Sequence, residues 1–305
     1  MFIESQVEYL PLPPNSSIDS IIRHIELCGR VAYKSEDKIT NDSAYKFVGM
    51  LKDKGHYSPL EHGTIIFRID DGDSNFGELM QLGGSPYSRV FYSYVESEKS
   101  ERRKRIGYVL LNMRTFMEDH GLGKWISEEG VVPDEDKDFD SFLLGEHPDL
   151  SLFPARYTFR IICDRGISHE LVRHRVFSFT QESTRYCNYT LEKFGKDLTF
   201  IWPEWLDKRY MNMESMERMP LEVSSFVSSC DDAKRAYFAL IGQGWKPEMA
   251  RAVLPNCLKT EVVMTGWKED WEDFIKKRNI PESHPSMRNI AQQIQDKLLT
   301  LNVKS

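Results

Sequence analysis

Two glycine-rich signatures that commonly bind nucleotides are absent from this chain. It contains no G-x-G-x-x-G and no G-x-x-x-x-G-K-[ST] sequence, which excludes a Rossmann turn and a P-loop as nucleotide sites. No run of about eighteen apolar residues occurs, and the first residues, MFIESQVEYLPLPP, lack a basic start followed by an apolar stretch. We therefore expect neither membrane insertion nor secretion, and a cytoplasmic location.

Cysteine is scarce and scattered. The five residues form no C-x-x-C pair, and their odd number gives no disulfide framework; they are Cys28, Cys163, Cys187, Cys230 and Cys257. This pattern is typical of reduced thiols in a reducing compartment. Cys257 lies at the start of a predicted strand, so we interpret it as a packing residue.

Basic charge is in deficit, with 40 Lys and Arg against 47 Asp and Glu and a net charge of -7. Duplex-binding proteins normally offer an extended basic face, so this balance argues against nucleic acid as a partner. Neither a fixed-period repeat nor a Gly/Ser linker occurs, and 40% of the 305 residues are hydrophobic. The composition predicts one domain with a substantial core.

One short segment is rich in positive charge. RHRVFSFTQESTRY, Arg173 to Tyr186, combines three arginines and a histidine with several hydroxyl side chains. Guanidinium forks and hydroxyls together suit an anionic ligand, although a solvated basic surface is an equally good interpretation of the composition alone. Upstream, alternation from Arg156 to Cys163 predicts a half-buried strand ending at Gly166, and Ser168 is a candidate N-cap for a helix over 168–175. The arginines would then lie at a strand–helix–loop junction.

Histidine spacing gives no metal site. In HELVRH, His169 and His174 are five residues apart. Their side chains would lie ~140° apart around a regular helix, so they could not bind one metal ion together. His56 and His62 lack a third clustered ligand, so we interpret them as structural groups. Ser183 has no base placed by the sequence, and we do not predict it to be a nucleophile.

Three blocks, in the same order, resemble one known family. They are RHR-x7-S-x-R from Arg173 to Arg185, HYSPLEHGTIIF from His56 to Phe67, and ARAVLPNCLKTEVVMTG from Ala250 to Gly266 with Arg278 beyond it. These blocks are similar to those of flavin-dependent thymidylate synthases. With the early GRVAYKS run, the resemblance covers about residues 20–70 and 155–295.

The resemblance implies an α+β fold with a central antiparallel sheet flanked by helices, as a single catalytic domain over 1–305. We assign Thr64–Ile69, Arg156–Cys163 and Leu258–Thr265 to that sheet, and expect helices over 229–242, 247–254, 267–277 and 285–301. The interval of about 71–152 is an insertion relative to the compact family members. Apolar spacing within it predicts a helix over 106–121, followed by an acidic loop.

The resemblance also implies an activity. Family members methylate carbon 5 of dUMP to give dTMP, with the carbon from methylenetetrahydrofolate and a hydride from FAD that NADPH has reduced. Four copies assemble in this family and share their sites, so a homotetramer is implied. The different-class alternatives are a non-catalytic flavin- or nucleotide-binding regulator and an RNA-binding module that uses the aromatic residues of the basic segment.

Matching positions supply the candidate site residues. For FAD they are Thr64, which would contact the cofactor of a neighbouring chain, and Arg173, His174, Arg175, Gln181 and Asp273. For dUMP they are Glu170, Arg173, Gln181, Ser183, Arg185, Arg251 and Arg278. Glu170 is often Gln in the family, and Trp267, Asp273 and His284 replace other family residues.

Arg278 is the candidate catalytic residue. Carbon 5 of a uracil is a weak nucleophile until electron density enters the ring, and the resemblance places Arg278 beside the uracil. A fixed guanidinium there would stabilise the charge that develops at O2 and N3 without exchanging a proton.

Overall fold

The computed structural model describes residues 1–11, 18–70, 88–96, 103–115, 126–127, 130–131, 155–185, 187–192, 195–211, 213 and 215–302. The strands in these ranges are β1 Phe2–Ile3, β2 Gln6–Leu10, β3 Thr64–Asp70, β4 Ser88–Glu96, β5 Arg103–Asn112, β6 Ile126–Ser127, β7 Gly130–Val131, β8 Arg156–Asp164, β9 Ser178–Gln181, β10 Phe200–Ile201 and β11 Lys259–Trp267. The α-helices are α1 Ile18–Tyr33, α2 Ser43–Asp53, α3 Arg165–Leu171, α4 Leu221–Gly242, α5 Pro247–Ala250, α6 Lys268–Arg278 and α7 Pro285–Asn302.

A four-stranded antiparallel sheet, in the order β2–β8–β11–β9, lies at the centre of the described structure. The long β8–β11 ladder pairs Asp164 with Lys259 at one end and Arg156 with Trp267 at the other. Every residue of β11 after Lys259 is buried, because helices cover both faces of this strand. The predicted mixture of helices and antiparallel strands is therefore confirmed.

The main core lies between this sheet and helices α6 and α7. Trp271 and Phe274 of α6 pack with Phe159 of β8, and the buried stripe of α7 closes the layer. That stripe was predicted from spacing; Met287, Ile290, Ile294 and Leu298 are buried and Leu301 packs at its edge. A second core forms where α1 and α2 cover β3 and β5.

One sheet prediction and one helix prediction are wrong. Strand β3 pairs with residues 106–112 of β5 in a separate three-stranded sheet, not in the central one. Residues 106–112 belong to that strand, so the predicted helix over 106–121 does not form there. The apolar run IGYVLLN fits a strand as well as a helix, and pairing on both edges, by β3 and β4, decides between them. Residues 116–121 and nearly all of the acidic loop lie outside the described residues.

Helix boundaries differ at several points. Helix α4 begins at Leu221, eight residues before its predicted start, while the 247–254 segment is a single α turn followed by a 3₁₀ turn, Arg251–Val253. The last two helices match their predicted ranges to within one residue at each end. None of the helices in the described ranges has the length and apolar character needed to cross a bilayer.

Candidate functional site

The basic segment follows helix α3, which continues directly from strand β8. Asp164, not Ser168, caps this helix, since its Oδ1 accepts from the Ile167 backbone N–H at 2.7 Å. Ser168 lies inside the helix and donates to the Arg165 carbonyl at 2.8 Å. The helix ends at Leu171, four residues before the predicted end, so Arg173–Arg175 occupy the turn that follows.

The start of this helix is docked on the segment that carries Arg251. The backbone N–H groups of Arg165 and Gly166 donate to the Asn256 carbonyl at 2.9 and 3.2 Å. Residues 250–266 and the basic segment were separate blocks in the sequence, and the fold brings them into direct contact, since Arg251 bonds Thr184 and β11 pairs with β9.

Three predicted site residues meet at the C-terminal end of helix α6. Arg278 donates from Nε to His174 Nε2 at 2.9 Å and from Nη1 to Glu170 Oε2 at 3.3 Å. About a quarter of the Arg278 side chain and a third of the Glu170 side chain are exposed. The guanidinium is thus held from one side and remains accessible from the other.

His174 is held in its neutral form. Partial burial, followed by the positive charge of Arg278, lowers the pKa of His174 to about 4. A neutral ring can accept the Arg278 hydrogen bond, whereas an imidazolium cannot. The His174 ring also packs against Phe274, with ring centroids 4.9 Å apart, which fixes its orientation.

A second group of predicted residues lies on the loop after β9. Arg251 donates to the Thr184 hydroxyl at 3.0 Å, and the Arg185 guanidinium lies 3.6 Å from Glu248 on helix α5. The Ser183 hydroxyl accepts from the Arg185 backbone N–H at 3.3 Å. The fold therefore brings Arg251 to the loop that carries Ser183, Thr184 and Arg185.

Gln181 connects these two groups. It is the last residue of β9, and its amide donates to Ser168 at 2.9 Å and to Thr260 at 3.2 Å. Ser168 lies two residues before Glu170 on helix α3, so Gln181 spans the distance between the Arg278 group and the loop that carries Ser183.

Arg156 is a buried residue next to Thr64 that the sequence analysis missed. Its guanidinium donates to the Thr64 hydroxyl at 3.0 Å and to Ser178 at 3.0 Å. It also lies over the Trp267 ring at 5.5 Å. Burial lowers the pKa of Arg156 to about 10. The available signal was an arginine at the start of an apolar strand, which alternation alone assigns to the surface.

The departures near the C-terminus lie in three different settings. Trp267 is buried and packs under Arg156 and Arg89, so its side chain belongs to the core. Asp273 is exposed on α6 and pairs with Lys277 at 2.5 Å. His284 packs edge-on against Trp205, with ring centroids 5.4 Å apart.

Beside Glu170 lies a cleft of about 300 Å³. Its walls include Asp164, Asn256, Trp205 and His284. Cys257 also borders it, and its thiol lies 3.5 Å from that of Cys230. All five cysteines are thiols; four are buried, and Cys257 is partly buried and packs against the core beneath helix α4.

Of the two histidines before Thr64, His56 bonds to Tyr33 and stacks on its ring, whereas His62 lies in the core. His62 is fully buried and bonds Thr265 at 2.7 Å through Nδ1 and Thr180 at 2.9 Å through Nε2. Thr265 bonds Thr158 at 2.8 Å, and Thr158 bonds His24 at 3.2 Å. A buried chain of hydroxyls and imidazoles therefore crosses the sheet behind the site.

The buried histidines of this hydrogen-bonded chain are expected to make the stability of the protein sensitive to acid. Burial, then the Arg156 charge, lowers the pKa of His24 from 6.5 to about 4, and burial lowers that of His62 well below its usual value. The unfolded protein binds more protons between pH 6.5 and 4, so stability present above pH 6.5 is lost as the pH falls through this window. For His24 alone the loss is on the order of 3 kcal/mol. Urea unfolding at pH 7 and pH 5 should show about 2 kcal/mol of this loss, since pH 5 lies within the window.

Two variants test the assignment. His24→Gln should flatten the pH dependence, while His169→Gln, at an exposed position of helix α3, should leave it unchanged. Equal slopes for the wild type and His24→Gln would show that His24 is not a source of the acid sensitivity.

Comparison with known proteins places the chain in a family. A family model described as thymidylate synthase complementing protein matches residues 109–301; it begins inside the 71–152 interval and omits the His56–Phe67 block. The flavin-dependent thymidylate synthase of Pyrococcus furiosus is 28% identical over 172 residues, which are 55% of this chain and 66% of that protein. The protein of the same name from Aquifex aeolicus is 22% identical over 303 residues, 90% of this chain and 93% of that protein.

A solved structure, the flavin dependent thymidylate synthase of Helicobacter pylori complexed with FAD and dUMP, overlaps at a TM-score of 0.33 and 20% identity. The overlap covers 46% of this chain and 66% of that one. The family match, in contrast, spans more than half of the chain, and its segment contains both the RHR-x7-S-x-R and the RAVLP blocks. The resemblance is therefore confirmed, and the chain belongs to the thymidylate synthase complementing protein family.

Proposed function

We propose that this protein is a flavin-dependent thymidylate synthase that methylates dUMP to dTMP. The observation that carries the proposal is the convergence of Glu170, His174 and Arg278. Arg278 is separated from the other two by more than 100 residues of sequence, yet bonds both of them. The Arg278 guanidinium, held by Glu170 and His174, has the chemistry needed to activate a uracil ring.

The two groups of residues would bind different parts of the nucleotide, the phosphate on one side and the uracil on the other. Ser183, Arg185 and Arg251 would bind the phosphate, because their donors lie on the loop after β9 and on the facing 3₁₀ turn. Gln181 lies between this loop and Glu170, which fits contacts with the ribose and the flavin. Glu170 is an acceptor when ionised, so it would bind a donor on the nucleotide or keep Arg278 in place.

Arg278 would act on the uracil. His174 and Glu170 would fix the guanidinium before the substrate arrives, so its positive charge would need no reorientation as negative charge develops on O2 and N3. His174 would not exchange a proton with Arg278 near neutral pH, since its pKa is about 4. The arginine therefore acts as a fixed positive charge.

The residues that would hold FAD fit its anionic groups. Arg173 and Arg175 are exposed on the turn after helix α3, on either side of the partly buried His174. Arginine forks suit a diphosphate, and Asp273 on α6 can accept from an adenine amino group or a ribose hydroxyl. When bound and reduced by NADPH, FAD would supply the hydride.

The remaining partners follow from the same proposal. Methylenetetrahydrofolate would donate the carbon, and the protein would act in the cytoplasm as a homotetramer in which Thr64 contacts the FAD of a neighbouring chain. Residues 1–305 would form one catalytic domain with an insertion at about 71–152. Neither nucleic acid nor a membrane is among the proposed partners.

The visible spectrum of the purified protein tests the proposal most directly. We expect a flavin spectrum that NADPH bleaches under anaerobic conditions, at a rate that dUMP changes, and dTMP formation once methylenetetrahydrofolate is added. Failure to bind FAD at excess concentration would reject the proposal. Flavin reduction without tritium release from [5-³H]dUMP would identify a non-catalytic binding protein instead.

Arg185→Ala is expected to weaken dUMP binding. The KM for dUMP should rise roughly 10- to 100-fold, the range for a lost hydrogen bond to a charged group, with kcat nearly unchanged because a phosphate contact is uniform along the reaction. Steady-state kinetics measure both quantities. Arg209→Ala, on a surface turn with 82% of its side chain exposed, is the matched control. A fall in kcat at unchanged KM would assign Arg185 to the chemical step.

A further inference from the structure

A buried cluster of charges lies directly behind the loop that carries Ser183 and Arg185. Its acids are Glu182 and Glu261, and its bases are Lys34, Lys259 and Arg160. The two glutamate side chains are at most 5% exposed, and the two lysine side chains at most 15%. Burying so many charges is costly unless they pair closely.

The pairing is close. Lys259 Nζ lies 3.0 Å from Glu182 Oε2, and Lys34 Nζ lies 3.8 Å from the same oxygen. Both ammonium groups also bond Glu261, which accepts from Arg160 Nε at 2.7 Å. Burial alone would raise the pKa of Glu261, but Lys259 and Lys34 outweigh it and lower that pKa to about 2. Glu261 is therefore ionised at any pH at which the protein works.

Glu182 connects this cluster to the loop. It stands between Gln181 and Ser183, and its backbone N–H donates to the Glu261 carbonyl at 2.8 Å. Its second carboxylate oxygen accepts from the Tyr189 hydroxyl at 3.3 Å. The next N–H, that of Ser183, donates to the Ala32 carbonyl at the end of helix α1, at 3.4 Å. Residue 182 is thus fixed by its backbone and by its side chain.

Glu182 is surrounded by two lysines and a glutamate that come from distant parts of the chain. Lys34 follows helix α1 and has a left-handed backbone, with φ of 48°, while Lys259 and Glu261 lie at the start of β11. Side chains two residues apart on a strand point to the same face, so Lys259 and Glu261 meet Glu182 from one side. Lys34 closes the cluster from α1.

We propose that Glu182, with Lys34 and Lys259, positions the phosphate-binding loop for dUMP. The inference rests on the proposed function and assigns to that site three positioning residues that do not touch the substrate. The carboxylate of Glu182 anchors the loop between its two functional neighbours, Gln181 and Ser183. The Ser183 hydroxyl and the Arg185 backbone are then in place before the phosphate arrives.

Glu182→Gln tests the proposal with little change in side-chain shape. Binding is followed as the change in flavin absorbance of the holoenzyme on titration with dUMP and, separately, with deoxyuridine, which lacks the phosphate. We expect the dUMP dissociation constant to rise about tenfold or more, with deoxyuridine binding, FAD content and kcat at saturating dUMP nearly unchanged. Glu192→Gln, at an acid whose side chain is 86% exposed, is the control.

Lysine variants keep the test decisive if Glu182→Gln does not fold. Lys259→Met should cause the same selective loss of dUMP affinity, and Lys259→Arg should restore most of it because the positive charge returns. Equal weakening of dUMP and deoxyuridine, or unchanged dUMP affinity in the folded variants, would overturn the positioning role. Failure of the wild-type holoenzyme to bind dUMP would instead reject the proposed function, and the positioning role with it.

Discussion

Replacement of Arg278 by alanine is expected to lower kcat by a factor on the order of 10² or more while FAD remains bound. The guanidinium is held by His174 and Glu170 and is therefore oriented before the substrate binds. Alanine removes a donor that strengthens only as charge develops on the uracil, so the chemical step suffers more than binding. Steady-state dTMP formation gives kcat, and the flavin absorbance of the purified variant gives FAD content.

Two further variants sharpen this result. Arg278→Lys keeps the charge but loses the planar fork, and we expect it to recover only part of the activity, since lysine cannot bond two partners in the same geometry. Arg235→Ala removes an arginine with a 71% exposed side chain on helix α4 and should match the wild type. Near-normal turnover by Arg278→Ala would remove it from the catalytic step.

The second large effect is on stability. Trp271→Ala is expected to lower the free energy of unfolding by about 3–5 kcal/mol, the usual range for deleting a buried tryptophan side chain. Trp271 is fully buried, donates to the Tyr157 carbonyl at 3.1 Å, and packs against the rings of Phe177 and Phe159 at centroid distances of 4.6 and 4.9 Å. Urea unfolding of the purified variant measures the change.

The same variant should also weaken FAD binding. Phe177 stands between the Arg173–Arg175 turn and strand β9, and the empty volume left by Trp271 would let that turn move. Trp245→Ala, at a tryptophan that is 43% exposed, is the matched control and should cost under about 1 kcal/mol. A loss as small in Trp271→Ala would mean that the core closes over the missing ring.

The elements that the sequence predicted well are those with a clear apolar period. Strand β8 alternates between buried and partly buried residues along most of its length, and helix α7 shows one buried stripe, so both were located to within a few residues. Strand β5 was mistaken for a helix because a short apolar run fits either structure until its partners are known. Pairing with β3 and β4 is a tertiary effect that a local pattern does not contain.

In the candidate site, too, local patterns were predicted from the sequence and contacts between distant segments were not. The sequence placed Arg173–Arg175 near a strand–helix junction from local signals, but no spacing rule could bring Arg278 to His174 across a hundred residues. The family resemblance placed His174 with FAD and Arg278 with the uracil of one active site, but the hydrogen bond between them was not predicted. Arg156 and Glu182 were missed because each looks like an ordinary surface charge in a strand or loop. Their importance comes from burial and from partners in distant segments.

The left-handed backbone at Lys34 has a consequence for how the family can vary. A lysine in this conformation costs on the order of 1–2 kcal/mol relative to glycine, so position 34 considered alone favours glycine. Loss of its ammonium group would leave the buried carboxylates of Glu182 and Glu261 with fewer cations, a deficit that commonly costs more. Among relatives, we therefore expect residues 34, 182 and 261 to change together, as one inherited unit, even though they lie far apart in the sequence.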